Sequence, residues 1–202
     1  MNIPNLLSGF GSSYLKQTIL LCLLIGVQSC FAVAELPPYD LQAFVEKAGA
    51  AFKVQASYLS PVSQCEAYTF LTDYEDVKTT PGIVESKVRK RNGNKVTVER
   101  LIQERVLLFP IQLRYEVEFT ELPQQGLNFI QIKGDNKAYS GTWRLHSNDR
   151  GVLVRYTSIM EPDSVIPNGV IEYFLRNNIR KGFEMMAEGM ELSRDTLSLA
   201  CK

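Results

Sequence analysis

The chain has 202 residues, with 22 Lys and Arg against 22 Asp and Glu. A net charge of zero gives no electrostatic reason to expect nucleic acid or an acidic surface as a partner. The length suits one domain plus a leader, and 45% apolar residues are ordinary for a globular protein.

Residues 1–34 read as a signal peptide. Lys16 supplies the positive end, Ile19 to Val27 is an apolar run, and Ala32-Val33-Ala34 fits a small-x-small cleavage site before Glu35. The run falls short of the roughly 20 residues that a membrane-spanning helix needs. A competing reading makes Cys30 an acylated lipoprotein cysteine, although Gln28 fits that site poorly. The expected location is therefore secreted or periplasmic. Of the four cysteines, Cys65 and Cys201 remain after cleavage. In an oxidising compartment they could pair and tie the C-terminal tail to the first helix. The simpler alternative is a buried Cys65 and a frayed Cys201.

Residues 35–49 read as a proline-led linker ending in a helical turn or two. The domain proper is expected over 50–196, with 197–202 as a tail. Phe52, Val54, Ala56 and Tyr58 alternate with polar residues and predict a first strand. Ser60-Pro61 has the form of a helix start, serine as N-cap and proline in the first turn, with Val62, Ala67, Phe70 and Leu71 buried. From Ile83 the period becomes two. Asn92-Gly93 marks a hairpin, and later turns fall at Leu122 to Gly126, Gly134 to Asn136 and Asn148 to Gly151. The count is seven strands, joined by short connections and therefore antiparallel.

Ile166 to Arg194 predicts one long amphipathic helix. Ile171, Phe174, Leu175, Ile179, Met185, Met186 and Met190 share an arc, and Pro167 stands at the first turn. The class is α+β, with this helix packed on one face of the sheet.

The order of elements resembles the START-like helix-grip superfamily, in its polyketide cyclase/dehydrase and coenzyme Q-binding branch. The matching stretches are Ser60-Pro61, Leu71-Thr72-Asp73-Tyr74-Glu75, Pro81-Gly82-Ile83-Val84, Gly141-Thr142-Trp143-Arg144-Leu145, Val154-Arg155-Tyr156, Pro162 and Pro167. They span about residues 50 to 194. The resemblance implies a curved seven-stranded antiparallel sheet wrapped on the C-terminal helix, with short helices after the first strand. It also implies a cavity between the two. It carries no catalytic motif.

The residues support such a cavity independently. Val54, Tyr58, Tyr115, Val117, Tyr139, Gly141, Trp143 and Tyr156 share the buried parity. A buried Tyr or Trp needs a partner for its polar atom, which a ligand, water or the rim of a packed core could supply. On the helix, Phe174, Asn178, Gly182 and Met186 face inward. Gly182 and Gly189 cost helix stability and leave room for a ligand or for close packing, and Asn178 could bond a ligand or a tyrosine. Arg100 and Glu104 share parity with Val96, Val98 and Ile102. Either both charges point inward, or a bulge near Leu101 flips the strand. The bulge is preferred, because a buried charge must be paired.

His146, the only histidine, sits opposite in parity to Trp143 and is expected to face solvent. No metal site, cofactor fingerprint or nucleophile elbow is visible. The apolar run at Leu107, Leu108 and Phe109 offers a transient membrane contact, or else closes two strand ends over buried side chains. The expected function is non-catalytic binding or transport of a hydrophobic small molecule, lipid-like or isoprenoid quinone-like. The alternative is a cyclase- or dehydratase-type enzyme using the same cavity.

Overall fold

The computed structural model describes residues 38–76, 80, 82–106 and 108–201. The expected leader lies outside this range, as does Leu107. A short 3-10 turn, Pro38–Asp40, leads into β1 (Gln42–Ala48) and β2 (Ala51–Ser60). Next come α1 (Gln64–Thr72), β3 (Ile83–Asn92), β4 (Lys95–Val106), β5 (Phe109–Leu122) and β6 (Gly126–Gly134). The chain ends with β7 (Asn136–Asn148), β8 (Gly151–Pro162), α2 (Asn168–Leu192) and α3 (Arg194–Ala200).

All eight strands form one antiparallel sheet in the order β1-β2-β8-β7-β6-β5-β4-β3. The eighth strand is β1, in the segment read as a linker. Its register on β2 runs from Gln42 opposite Ser57 to Ala48 opposite Ala51. Only Val45 of β1 is buried, while Phe44 is exposed. An edge strand with so few inward apolar side chains carries almost no period-two signal, which is why its sequence reads as linker.

Helix α2 packs on β1 and β2 and also reaches β4. Those strands lie at opposite ends of the sheet order, so the sheet must curl around the helix. The core fills the space between them, with Phe52, Val54 and Val154 on the sheet side and Phe183, Ala187 and Met190 on the helix side.

The first helix begins later than Ser60-Pro61 suggests. Ser60 is buried and closes the β2 ladder opposite Val152. Ser63 is the N-cap, and its hydroxyl accepts from the Glu66 backbone N–H while the Glu66 carboxylate accepts from the Ser63 N–H. This capping box is legible as Ser-x-x-Glu, a stronger signal than Ser-Pro. The β3–β4 turn is centred on Gly93-Asn94, with Asn92 opposite Lys95 and φ of 60° at Gly93. Glycine at the first position with positive φ is the type II′ pattern.

The C-terminal residues are not a frayed tail. Ser193 ends α2, α3 follows against α1, and Leu197 is buried. Cys65 of α1 is disulfide-bonded to Cys201, across a sequence separation of 136. The alternative with both thiols free is thereby corrected. The helix after Ser193 brings Cys201 to Cys65 with a Cα separation of 5.9 Å, inside the range that a disulfide can bridge.

Candidate functional site

Between the sheet and α2 lies a cavity of about 400 Å³. Its depth follows from strand register. Nearest the rim, Glu104 pairs with Ile111, then Ile102 with Leu113, then Arg100 with Tyr115. Deeper on the same wall, Phe119 pairs with Phe129, which stands opposite Gly141. Trp143 and Tyr156 face each other across β7 and β8. Turns and loops at the same end of the sheet contribute Asp135, Asn136, Asp163 and Ser164 to the lining.

The floor is aromatic. Trp143 and Tyr156 have ring centres 4.5 Å apart, and Phe183 of α2 stands 5.2 Å from Tyr156 and 6.0 Å from Trp143. Phe129 stands 5.0 Å from Tyr139. Such tilted and edge-on pairs hold the rings in fixed orientations.

Above the floor sits a cluster of donors. The Tyr139 and Tyr156 hydroxyls are 3.1 Å apart. Arg100 lies with its guanidinium carbon 5.2 Å from the Phe119 ring centre, and its Nε donates to Ser86 Oγ at 3.2 Å. Burial raises the Tyr115 hydroxyl to about 12; nearby Tyr139 adds to the rise and Arg100 opposes it. Burial also raises Tyr139, assisted by its contact with Tyr156, and again Arg100 opposes the rise. Tyr156 is raised by burial, against its hydrogen bonds to Ser158 and Tyr139. All three phenols therefore keep their protons at neutral pH and can donate.

Most of the residues expected from sequence come together here. Val54, Arg100, Tyr115, Val117, Tyr139, Trp143 and Tyr156 line the cavity from the sheet. Phe174, Asn178, Gly182 and Met186 line it from α2. Two others do not. Tyr58 is buried beneath Phe183, 6.4 Å ring to ring, and its hydroxyl has no partner. Gly141 has the inward parity, but the Phe129 ring covers it. A Cβ there would stand 2.5 Å from Phe129 and 2.3 Å from the Thr157 carbonyl oxygen.

The helix also departs from expectation in detail. Asn178 is exposed at the mouth, and its amide donates to the Phe174 carbonyl at 2.8 Å. Gly189 lies outside the lining, where Ala187 and Met190 close the core. Arg100 and Glu104 both line the cavity, because the β4–β5 register is continuous from Lys95 to Val106. The bulge expected near Leu101 is absent from β4; the irregularities fall in β3 instead, at Ile83/Glu85 and Val88/Lys90. His146 is exposed, and no cluster of metal-ligating side chains occurs among the described residues.

Residues 60–186 match the family described as polyketide cyclase / dehydrase and lipid transport. The chain belongs to this family. Its fold is START-like, as three solved structures illustrate. A STAR-related lipid transfer protein from Xanthomonas axonopodis is 13% identical, with a TM-score of 0.62 over 82% of this chain and 97% of that one. The Zhui aromatase/cyclase from Streptomyces sp. R1128 is 11% identical, with a TM-score of 0.58 over 71% and 95%. A START superfamily protein from Mycobacterium smegmatis is 11% identical, with a TM-score of 0.55 over 72% and 98%. At such identities the likeness is one of fold. No curated protein matches the sequence.

Within this START-like cavity, Phe183 is one lining residue that sequence reasoning missed. It was legible, since Ile171, Leu175, Ile179, Phe183 and Ala187 form an i, i+4 row. Met185, assigned to the inward arc from sequence, is 38% exposed. Phe129, Ser158 and Met160 were missed as well, the last two despite continuing the Tyr156 parity.

Proposed function

We propose that the protein binds or transports a hydrophobic small molecule, a single-chain lipid or an isoprenoid quinone-like compound, without transforming it. The observation that carries this reading is the cavity itself, walled by Val117, Leu113, Ile179 and Met186 over an aromatic floor. Membership of a family of hydrophobic-ligand-binding START and polyketide cyclase proteins supports it. A volume of about 400 Å³ lies at the lower end for drug-sized ligands, which favours a single chain or a compact ring system over a two-chain phospholipid. Native mass spectrometry of the protein from its host, followed by organic extraction, tests the proposal. A bound apolar compound released by solvent is the expected result; a protein that carries none and takes up none sinks it.

The proposal includes export. The Cys65–Cys201 bond is of the kind that persists in oxidising compartments, consistent with cleavage after Ala34. Export is supported if the intact mass of the exported protein begins at Glu35, whereas a diacylated Cys30 would make it a lipoprotein. Ligand exchange at a membrane also belongs to this proposal. Leu108 in the β4–β5 turn and Val165 before α2 are fully or almost fully exposed, both at the cavity's open end. Of the other two residues expected to touch lipid, Leu107 and the Phe109 side chain lie outside the described structure. Leu108→Asp with Val165→Asp should abolish flotation with vesicles; unchanged flotation would remove this element.

A cyclase- or dehydratase-type reading is second. It needs ionisable groups inside, and Arg100 and Glu104 both line the cavity. Four residues of strand set their Cα atoms roughly 13 Å apart, and the two make no ion pair with each other.

A further inference from the structure

Arg100 is a cation without an anion. Among the described residues it makes no ion pair with any carboxylate. Arg105, Arg155 and Arg194 are also unpaired but are exposed to water. Arg144 is half-buried, like Arg100, but spends its guanidinium on the Leu127 and Trp143 carbonyls and on Asn128 Oδ1. Arg100 instead lies against the Phe119 ring with Nε bonded to a serine hydroxyl. A half-buried guanidinium laid on an aromatic wall gains from a counter-charge within hydrogen-bond reach. Glu104 does not provide it, because it lies two inward-facing positions nearer the rim on the same strand.

The groups beside Arg100 are donors too. Tyr115 is its partner across β4 and β5, and the Tyr115 and Tyr139 rings stand edge to face at 6.1 Å. We infer that the cavity selects molecules bearing one carboxylate on an apolar body, with the anion seated between Arg100, Tyr115 and Tyr139. This deepens the hydrophobic-binding reading above and rests on it. The apolar body lies toward Phe129, Trp143 and Phe183. Glu104, Asp135 and Asp163 line the same cavity and disfavour a second anionic group nearer the mouth. A charge-assisted hydrogen bond from guanidinium to an oxyanion is roughly twice as strong as its neutral counterpart, so discrimination should be large.

The test uses the full-length protein stripped of bound ligand, with quenching of Trp143 fluorescence and calorimetry as readouts at neutral pH. Two probe pairs separate the sources of the carboxylate: pyrenebutyric acid with its methyl ester, and dodecanoic acid with its methyl ester. Each acid that fits should bind about tenfold or more tightly than its ester, on the scale of one charge-assisted bond. The pair with the larger ratio identifies the apolar body as ring-like or chain-like. Arg100→Gln should collapse the ratio toward one, while Arg100→Lys should retain a preference. Equal binding of acid and ester by the unmodified protein overturns anion selection and leaves hydrophobic binding standing. Failure to bind any of the four overturns both.

Discussion

Gly141 shows how one residue divides a cavity from a core. It carries the inward parity of Tyr139 and Trp143, yet the Phe129 ring lies over it and occupies the space a side chain would take. Its role is to let Phe129 settle into the floor. Gly141→Ala should therefore destabilise the fold by about 1–3 kcal/mol through overpacking. Urea denaturation monitored by circular dichroism would measure this, and a neutral result would mean that the floor yields easily. Parity tells which face a residue is on, but not which larger neighbour covers it. Tyr58 makes the same point, buried beneath Phe183 with its hydroxyl unpartnered. Arg100 shows the reverse. Reasoning from the cost of a buried charge favoured a bulge that would turn it outward, but the strand stays regular and the guanidinium remains at the cavity. Where a sound penalty is overridden, a function is a reasonable place to look for compensation.

Helix α2 does two jobs along its length. From Ile171 to Met186, about 22 Å at 1.5 Å per residue, it roofs the cavity. Beyond that, Ala187 and Met190 are fully buried and close the core. The roof carries Gly182 and exposed side chains such as Asn178, whereas the closed end carries the wholly buried residues. After the break at Ser193, α3 packs on α1, and the Cys65–Cys201 bond fixes that contact. A closed loop of this length makes the bond worth about 2–5 kcal/mol, judged from the removal of native disulfides. Cys65→Ser with Cys201→Ser should lower the denaturant midpoint correspondingly, with the native circular dichroism spectrum retained. An unchanged midpoint would show that α3 docks without it. The long helix was legible from its period and its proline start. The docking of α3 was not, because seven residues with a single buried leucine give too weak a pattern, and a disulfide depends on geometry that spacing alone does not supply.

At the scale of the whole molecule, the α+β layout was legible because six hairpin-linked strands and one amphipathic helix leave few ways to bury their apolar faces, and the helix-grip form followed from the family resemblance. The edge strand β1 escaped notice because exposed edges need little apolar patterning. The cavity was legible in part, through aromatic residues clustered on one parity and a glycine in the covering helix. Its size was not, since volume depends on how far the sheet curls. The central claim is that this space receives an apolar molecule. Titration with the neutral dye N-phenyl-1-naphthylamine, read as energy transfer from Trp143, tests it most directly, alongside a Gly182→Phe variant whose ring would fill the roof. Saturable one-to-one uptake that quenches Trp143 and is lost in the variant, with the thermal midpoint maintained, is the expected result. Absence of saturable uptake, or uptake equally strong in Gly182→Phe, would contradict it.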